Sequence, residues 1–320
     1  MSGIAEVILS AFDFDRVAAA LVGIGGYRRV DLPDASAAQA AAWHAPADCT
    51  RIEQALLLPA EGDRGRLRLV RFHGIEQALI RPSQRSWDTG GIFDVDIFST
   101  DVTKVYAQLQ RLGWSALGEP VRYTMGEFDV TQVVATGPDG LVLAIIQPHK
   151  SPSFELPITA MSRIFNSTQI VADMDRALDF YTRILGWTML VNLTVEDCAE
   201  PGADVLGLPM PFAGEAKRRV AIVHPHGIND GSIELIEIVG WQGKDYGSRA
   251  IAPNVGLMAL RIELEGIETH AEAIRVRGGE LYTEPTRFEI PPFGETSFFS
   301  VRSPDGAIIE IHEARATPNA

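Results

Sequence analysis

Residues 167–187 read STQIVADMDRALDFYTRILGW: a β-rich run, an acid at Asp173, about three helical turns, then a Gly-aromatic stop at Gly186 and Trp187. Three other stretches share this design: VILSAFDFDRVAAALVGIGGY (7–27), IFDVDIFSTDVTKVYAQLQRLGW (92–114) and LMALRIELEGIETHAEAIRVRGG (257–279). The turns open at Asp13, Asp101, Asp173 and Gly266 and close at Gly26, Gly113, Gly186 and Gly278, at separations of 13, 12, 13 and 12. Self-similarity at fixed spacing marks repeated structural units. The chain therefore reads as four strand–helix modules.

Each module is expected to be β-α-β-β-β. Its first strand alternates, as in Phe93, Val95 and Ile97 against Asp94, Asp96 and Phe98. The helix begins at N-cap chemistry and ends at glycine. The PDG turns at 138–140 and 304–306 fit hairpins. Asp305 follows Asp139 by 166 residues, Gly266 follows Asp101 by 165, and Asp173 follows Asp13 by 160. Three landmarks at nearly one offset make the half-chain the larger repeat. The expected fold class is α+β, four modules paired into two tandem domains, 1–150 and 151–320. Residues 147–156 (QPHKSPSFEL) read as the linker.

The most specific stretch runs from Val171 through Asp173 to Phe180 and Tyr181, closing at Leu185-Gly186-Trp187. It resembles the opening of vicinal oxygen chelate modules, the glyoxalase, bleomycin-resistance and extradiol-dioxygenase superfamily. Ser303-Pro304-Asp305-Gly306 with Ile308, Ile309, Glu310 and Ile311 resembles the closing strand of such modules. The resemblance implies paired modules whose sheets curl into a cleft. It also implies a divalent metal there, held by first and last strands and acting as a Lewis acid on neighbouring substrate oxygens.

The first family ligand, commonly His, is expected seven residues before the helix opening. That count gives Glu6, Asp94, Asn166 and Ala259. The second ligand position falls at Glu234 and Glu310, with Ala144 at the matching place in the first half. The metal set implied for residues 151–320 is Asn166, Glu234 and Glu310. All-oxygen ligands suit Mg²⁺, Mn²⁺ or Ca²⁺; iron enters only with the dioxygenase reading, and a metal-free site stays open. Glu310, Glu234 and His312 are the catalytic candidates, since His312 shares a strand face with Glu310. In a metal-free site a buried glutamate serves as general base, its pKa raised by an apolar cleft. Asp94 and Asp96 are expected to meet water, and the 1–150 domain to be structural. His224 and His226 are expected at a solvent-facing strand end. An apolar pocket is expected from 208–212 with Phe288, Phe293, Phe298 and Phe299.

The net charge of −14 argues against nucleic acid or an anionic membrane as partner. Hydrophobic residues make up 46%, yet no run approaches the roughly 18 that a membrane span needs. The first fifteen residues lack a basic segment, so no signal peptide is expected and the cytoplasm is the expected compartment. Cys49 and Cys198 sit at non-equivalent places and are expected to be free thiols. The expected function is a glyoxalase-like lyase or isomerase on a small hydrophobic or aromatic metabolite, by carboxylate- or metal-assisted proton transfer. An extradiol dioxygenase and a metal-free small-ligand-binding protein are the alternatives. The expected partner is a small molecule, and a homodimer is compatible with such modules.

Overall fold

A computed structural model describes residues 3–125, 128–150, 159–195, 204–209 and 216–314. Four modules follow one another. The first holds β1 (Gly3–Ser10), α1 (Phe14–Gly23), β2 (Arg28–Leu32), α2 (Ala37–Ala42), β3 (Arg51–Leu58) and β4 (Arg66–His73). The second holds β5 (Asp94–Phe98), α3 (Val102–Arg111), β6 (Ser115–Ala116), β7 (Val121–Met125), β8 (Phe128–Thr136) and β9 (Val142–Pro148). The third holds β10 (Ile164–Ile170), α4 (Met174–Leu178), β11 (Thr188–Val195), β12 (Arg218–His224) and β13 (Ser232–Ile238). The fourth holds β14 (Gly256–Glu263), α5 (Ile267–Val276), β15 (Thr283–Ile290), β16 (Gly294–Arg302) and β17 (Ile308–Ala314). The α+β class and the modular repeat are as expected.

Strand pairing departs from the expectation that sequence neighbours share a cleft. One sheet runs β15-β16-β17-β14-β1-β4-β3-β2, joining the fourth module to the first. The other runs β11-β12-β13-β10-β5-β9-β8-β6, joining the third to the second, with β7 on β8. The joins are antiparallel, Glu6 opposite Arg261 and Asn166 opposite Asp96. Offsets between halves report that modules repeat, but which first strands pair depends on long-range edge complementarity.

Alternation along each first strand sorts its side chains. In β1, Val7 and Leu9 enter the main apolar core, while Ile8 belongs to a second cluster on the opposite face and Glu6 joins its polar network. That main core takes residues from both sheets and from α1, α3, α4 and α5. The helices thus cover one face of each sheet, and the opposite faces carry the two clefts. Among the described residues no helix is long and apolar enough to cross a membrane.

Asp13, Asp101 and Asp173 cap their helices as expected, each side chain accepting from backbone N–H groups of the first turn. Gly266 lies in the left-handed region (φ 78°) and brings no capping side chain. Instead Glu313 Oε2 accepts from Gly266 N and Ile267 N, at 2.8 and 3.3 Å. The alternation of 13 and 12 residues also acquires a cause. After α4 the chain winds through a wider π-helical turn, Asp179–Ile184. The residue after the closing glycine bonds six residues back in the odd modules, Tyr27 N to Leu21 O and Trp187 N to Tyr181 O, but five back in the even ones, Trp114 N to Leu109 O and Gly279 N to Ile274 O. Odd modules absorb their extra residue as a wide turn.

Candidate functional site

The first cleft, between modules one and four, is closed by its own charges. Glu6, Arg68, Arg261 and Glu310 have side chains at most 1% exposed. Arg68 Nε donates to Glu6 Oε1 at 2.6 Å, Arg261 Nη1 to the same oxygen, and Arg261 Nε to Glu310 Oε2 at 2.8 Å. Trp43 Nε1 donates to Glu310 Oε1 at 2.7 Å, and Arg68 Nη1 to Gln54 Oε1 at 2.7 Å. Burial alone would raise the Glu6 pKa; Arg68 and Arg261 outweigh it and hold the carboxyl below its ordinary value. His312 is fully buried, and neither ring nitrogen has a hydrogen-bond partner. Burial, and then the positive charges of Arg261, Arg64, Arg66 and Arg68, push its pKa well down. Phe293 packs on its ring at 4.6 Å.

The second cleft, between modules two and three, is built from the same four strand positions with different chemistry. In place of Glu6, Arg68, Arg261 and Glu310 it carries Asn166, Glu234, Asp96 and Ala144, as the pairings Asn166–Asp96 and Asp96–Ala144 show. Asp96, not Asp94, therefore takes the first-strand position, and Arg261, not Ala259. In even modules that position lies five residues before the helix opening rather than seven. A two-residue miscount keeps the strand face, so alternation could not reveal it.

Asp94 and Asp96 are buried, at 2% and 5% exposed, contrary to the expectation that they meet water. They hydrogen-bond each other, and burial raises Asp94 to about 6 against the pull of bonds from Thr168 and Asp96. Asp96 is driven well above the ordinary range by burial, with Asp94 and Glu234 reinforcing it. Burial, then Asp94, raise Glu234 to about 7, although Thr168 Oγ1 donates to its Oε2 at 3.3 Å. Asn166 Nδ2 donates to Ser232 Oγ at 2.8 Å, leaving its Oδ1 without a partner.

These groups floor a cavity of about 190 Å³. Its walls include Val220, Ile222, Ile236 and the stacked pair Phe98–Phe165, with ring centroids 4.1 Å apart. Tyr123, whose hydroxyl donates to Gln132 Oε1, also lines it. So does Arg218, whose Nη2 donates to Asp204 Oδ1 at 2.7 Å. Asp204 in turn accepts from Leu206 N and Leu208 N, fixing that loop over the cavity.

Several expected sites are thus redistributed. Glu234 and Asn166 meet in the second cleft; Glu310 and His312 lie in the other sheet and cannot complete that set. His312 is buried rather than solvated. His224 is buried too, its Nδ1 accepting from His226 N at 3.0 Å; only His226 is exposed. Phe288 and Phe298 pack with Ala42 and Ile290, and Phe299 sits in the main core, so none lines the cavity. Leu208 joins the apolar cluster beside the cavity. Met210, Pro211, Phe212, Cys198 and residues 151–158 lie outside the described residues. Cys49 is a free thiol. Tyr123, Gln132 and Arg218 escaped sequence reading because they lie on later strands, where no motif marks them.

The divalent metal that the resemblance implies does not fit either arrangement. In the first cleft two guanidinium groups stand where a cation would bind. In the second the oxygen donors suit a hard ion in kind, but the carboxylates bond each other and Thr168. Among the described residues no three His, Cys, Asp or Glu side chains gather as a metal site.

Residues 163–311 match the sequence pattern of the glyoxalase/bleomycin resistance protein/dioxygenase superfamily. Glyoxalase I from Zea mays has the same overall fold, at 17% identity and TM-score 0.62, covering 98% of this chain and 93% of that one. A glyoxalase I variant from Zea mays gives 18% identity and TM-score 0.64 over 98% and 93%. A putative dioxygenase from Bacillus subtilis gives 12% and 0.57, over 98% and 86%. No curated protein matches by sequence. The fold of the chain is that of these solved structures.

Proposed function

We propose that the second cleft is the active site of an enzyme that moves a proton next to the carbonyl group of a small apolar or aromatic molecule. One observation carries this reading: three carboxylates with raised pKa values border an apolar cavity, and among the described residues none is in an ion pair. A base poised near neutrality combines a large ionised fraction with useful basicity. Glu234, at about 7, is that base.

Asp94 and Asp96, too close to ionise together, share a proton. That proton is donated as a hydrogen bond to the substrate carbonyl oxygen while Glu234 takes the proton from the adjacent carbon. The electron pair of the broken C–H bond enters the enolate, whose oxygen the shared proton stabilises. Return of the proton from Glu234 to another carbon completes an isomerisation; loss of a neighbouring leaving group completes a lyase reaction. Phe98, Phe165 and the aliphatic wall seat the substrate body and exclude water. Among the described residues no histidine lines the cavity, so a ring-cleaving 2-His-1-carboxylate iron site finds no support there.

The test is solvent deuterium exchange into small aromatic ketones and α-hydroxyketones, followed by NMR. Glu234→Gln should slow exchange by about 100-fold or more. Exchange unaffected by Glu234→Gln would reject the assignment.

A further inference from the structure

We infer that the second cleft takes an organic cation, a protonated amine on an apolar body of about one ring. This rests on the reading of that cleft as the active site, and adds the charge of its ligand.

The two clefts differ in charge balance. In the first, Glu6 and Glu310 are matched by Arg68 and Arg261. In the second, Asp94, Asp96 and Glu234 have no cationic side chain within ion-pair distance among the described residues. The nearby guanidinium groups are committed elsewhere. Arg218 pairs with Asp204, and Arg81 donates to the carbonyls of Gly90, Arg85 and Asp88 while lying over Phe93.

The hydrogen-bond inventory points the same way. Asn166, 4% exposed, has spent its N–H on Ser232, and its Oδ1 is free. Among the described residues Asp94 Oδ1 and Asp96 Oδ1, also buried, have no donor either. Thr168 has given its hydroxyl proton to Glu234, and Tyr123 its own to Gln132. Against these three empty acceptors, the described residues lining the cavity offer one unpartnered buried donor, Arg218 Nε; Arg81 Nε is unpartnered too, but Arg81 does not line the cavity. Buried acceptors left empty are costly, so a fitting ligand brings donors. An ammonium brings three N–H groups and the opposite charge.

A bare divalent ion is the poorer occupant. It needs ligands converging at about 2.0–2.6 Å, whereas these carboxylates are bonded to each other and to Thr168. An ammonium bonds acceptors at about 2.7–2.9 Å and tolerates their spread. Set among Asp94, Asp96 and Asn166, it leaves Glu234 as the base, with Phe98, Phe165, Val220 and Ile222 facing the apolar body.

Calorimetric titration of the full chain at about pH 8, where amines stay protonated, separates the outcomes. The probes are 2-phenylethylamine, 2-phenylethanol and phenylacetate. The amine should bind about tenfold or more tighter than the alcohol, with phenylacetate weakest. Replacing both acids, Asp94→Asn with Asp96→Asn, removes the pair's charge while keeping its shape and should abolish that preference. Alcohol binding as tight as amine binding would overturn the inference while leaving the active-site reading intact. No binding by any probe would overturn both. Tight Mn²⁺ binding seen by electron paramagnetic resonance, and lost in Asp96→Asn, would overturn the inference in favour of an ion.

Discussion

Glu234 and Glu310 occupy the same place on equivalent closing strands of neighbouring modules, yet their surroundings give them opposite chemistry. Glu310 bonds Arg261 and Trp43 and is part of the core; Glu234 faces a cavity with Thr168 as its one donor among the described residues. Glu310→Gln removes the charge that balances Arg261 and should destabilise the protein by about 3–5 kcal/mol, read by urea unfolding. The pH dependence follows from the opposite shifts. Glu234 and Asp94, raised to about 7 and about 6, hold protons in the native state that the unfolded chain has released. Their contribution to stability is present at low pH and is lost as pH rises through those values. Glu6, lowered, contributes in the reverse sense and loses its share only as pH falls into the acid range. Unfolding free energy should therefore fall between about pH 5 and pH 8, with a shallower slope in Glu234→Gln. A slope unchanged by that substitution would contradict the assignment. The sequence made Glu234 and Asn166 legible through their places on the strands. It could not report that Arg261 would neutralise Glu310, because that pairing joins β14 to β17 through side chains no local pattern connects.

At the scale of elements, the PDG turns do more than close hairpins. Asp139, in the left-handed region at φ 54°, accepts from Phe12 N and Asp13 N at 2.9 and 3.0 Å, tying the second module to the strand–helix junction of the first. Asp305 accepts from Ala172 N at 2.9 Å and ties the fourth module to the third in the same way. Asp139→Ala removes two hydrogen bonds and replaces a side chain that tolerates a positive φ with one that tolerates it less well. It should lower stability by about 1–3 kcal/mol in thermal or urea unfolding. An effect near zero would show that the turn merely abuts its neighbour. Modules, caps and turns were legible in sequence because each is local chemistry: an acid at the N-cap, a glycine at the close. The capping of Gly266 by Glu313 was not, since its partner lies on the last strand of the module.

Across the whole molecule, the PDG turns join modules one to two and three to four, whereas the sheets join one to four and two to three. Each module thus contacts two others in a closed ring. Loops from the two halves of the chain cross closely at its seam: a Cβ on Gly90 (φ 94°) would lie 2.1 Å from Gly247 N, and Gly91 N donates to Asp305 O at 2.8 Å. Half-chain offsets reveal the repeat but carry no information on which edges meet, so the split at 150 did not foretell the clefts. The ring leaves one cleft filled by a balanced Glu–Arg network and the other open and acidic. Methyl NMR of the isotope-labelled full chain, titrated with 2-phenylethylamine or 2-phenylethanol, tests that division most directly. The methyl signals of Val220, Ile222 and Ile236 in the second cleft should shift, while those of Ile8 and Ile308 in the first stay still. Shifts confined to Ile8 and Ile308 would place the ligand in the other cleft and contradict the account.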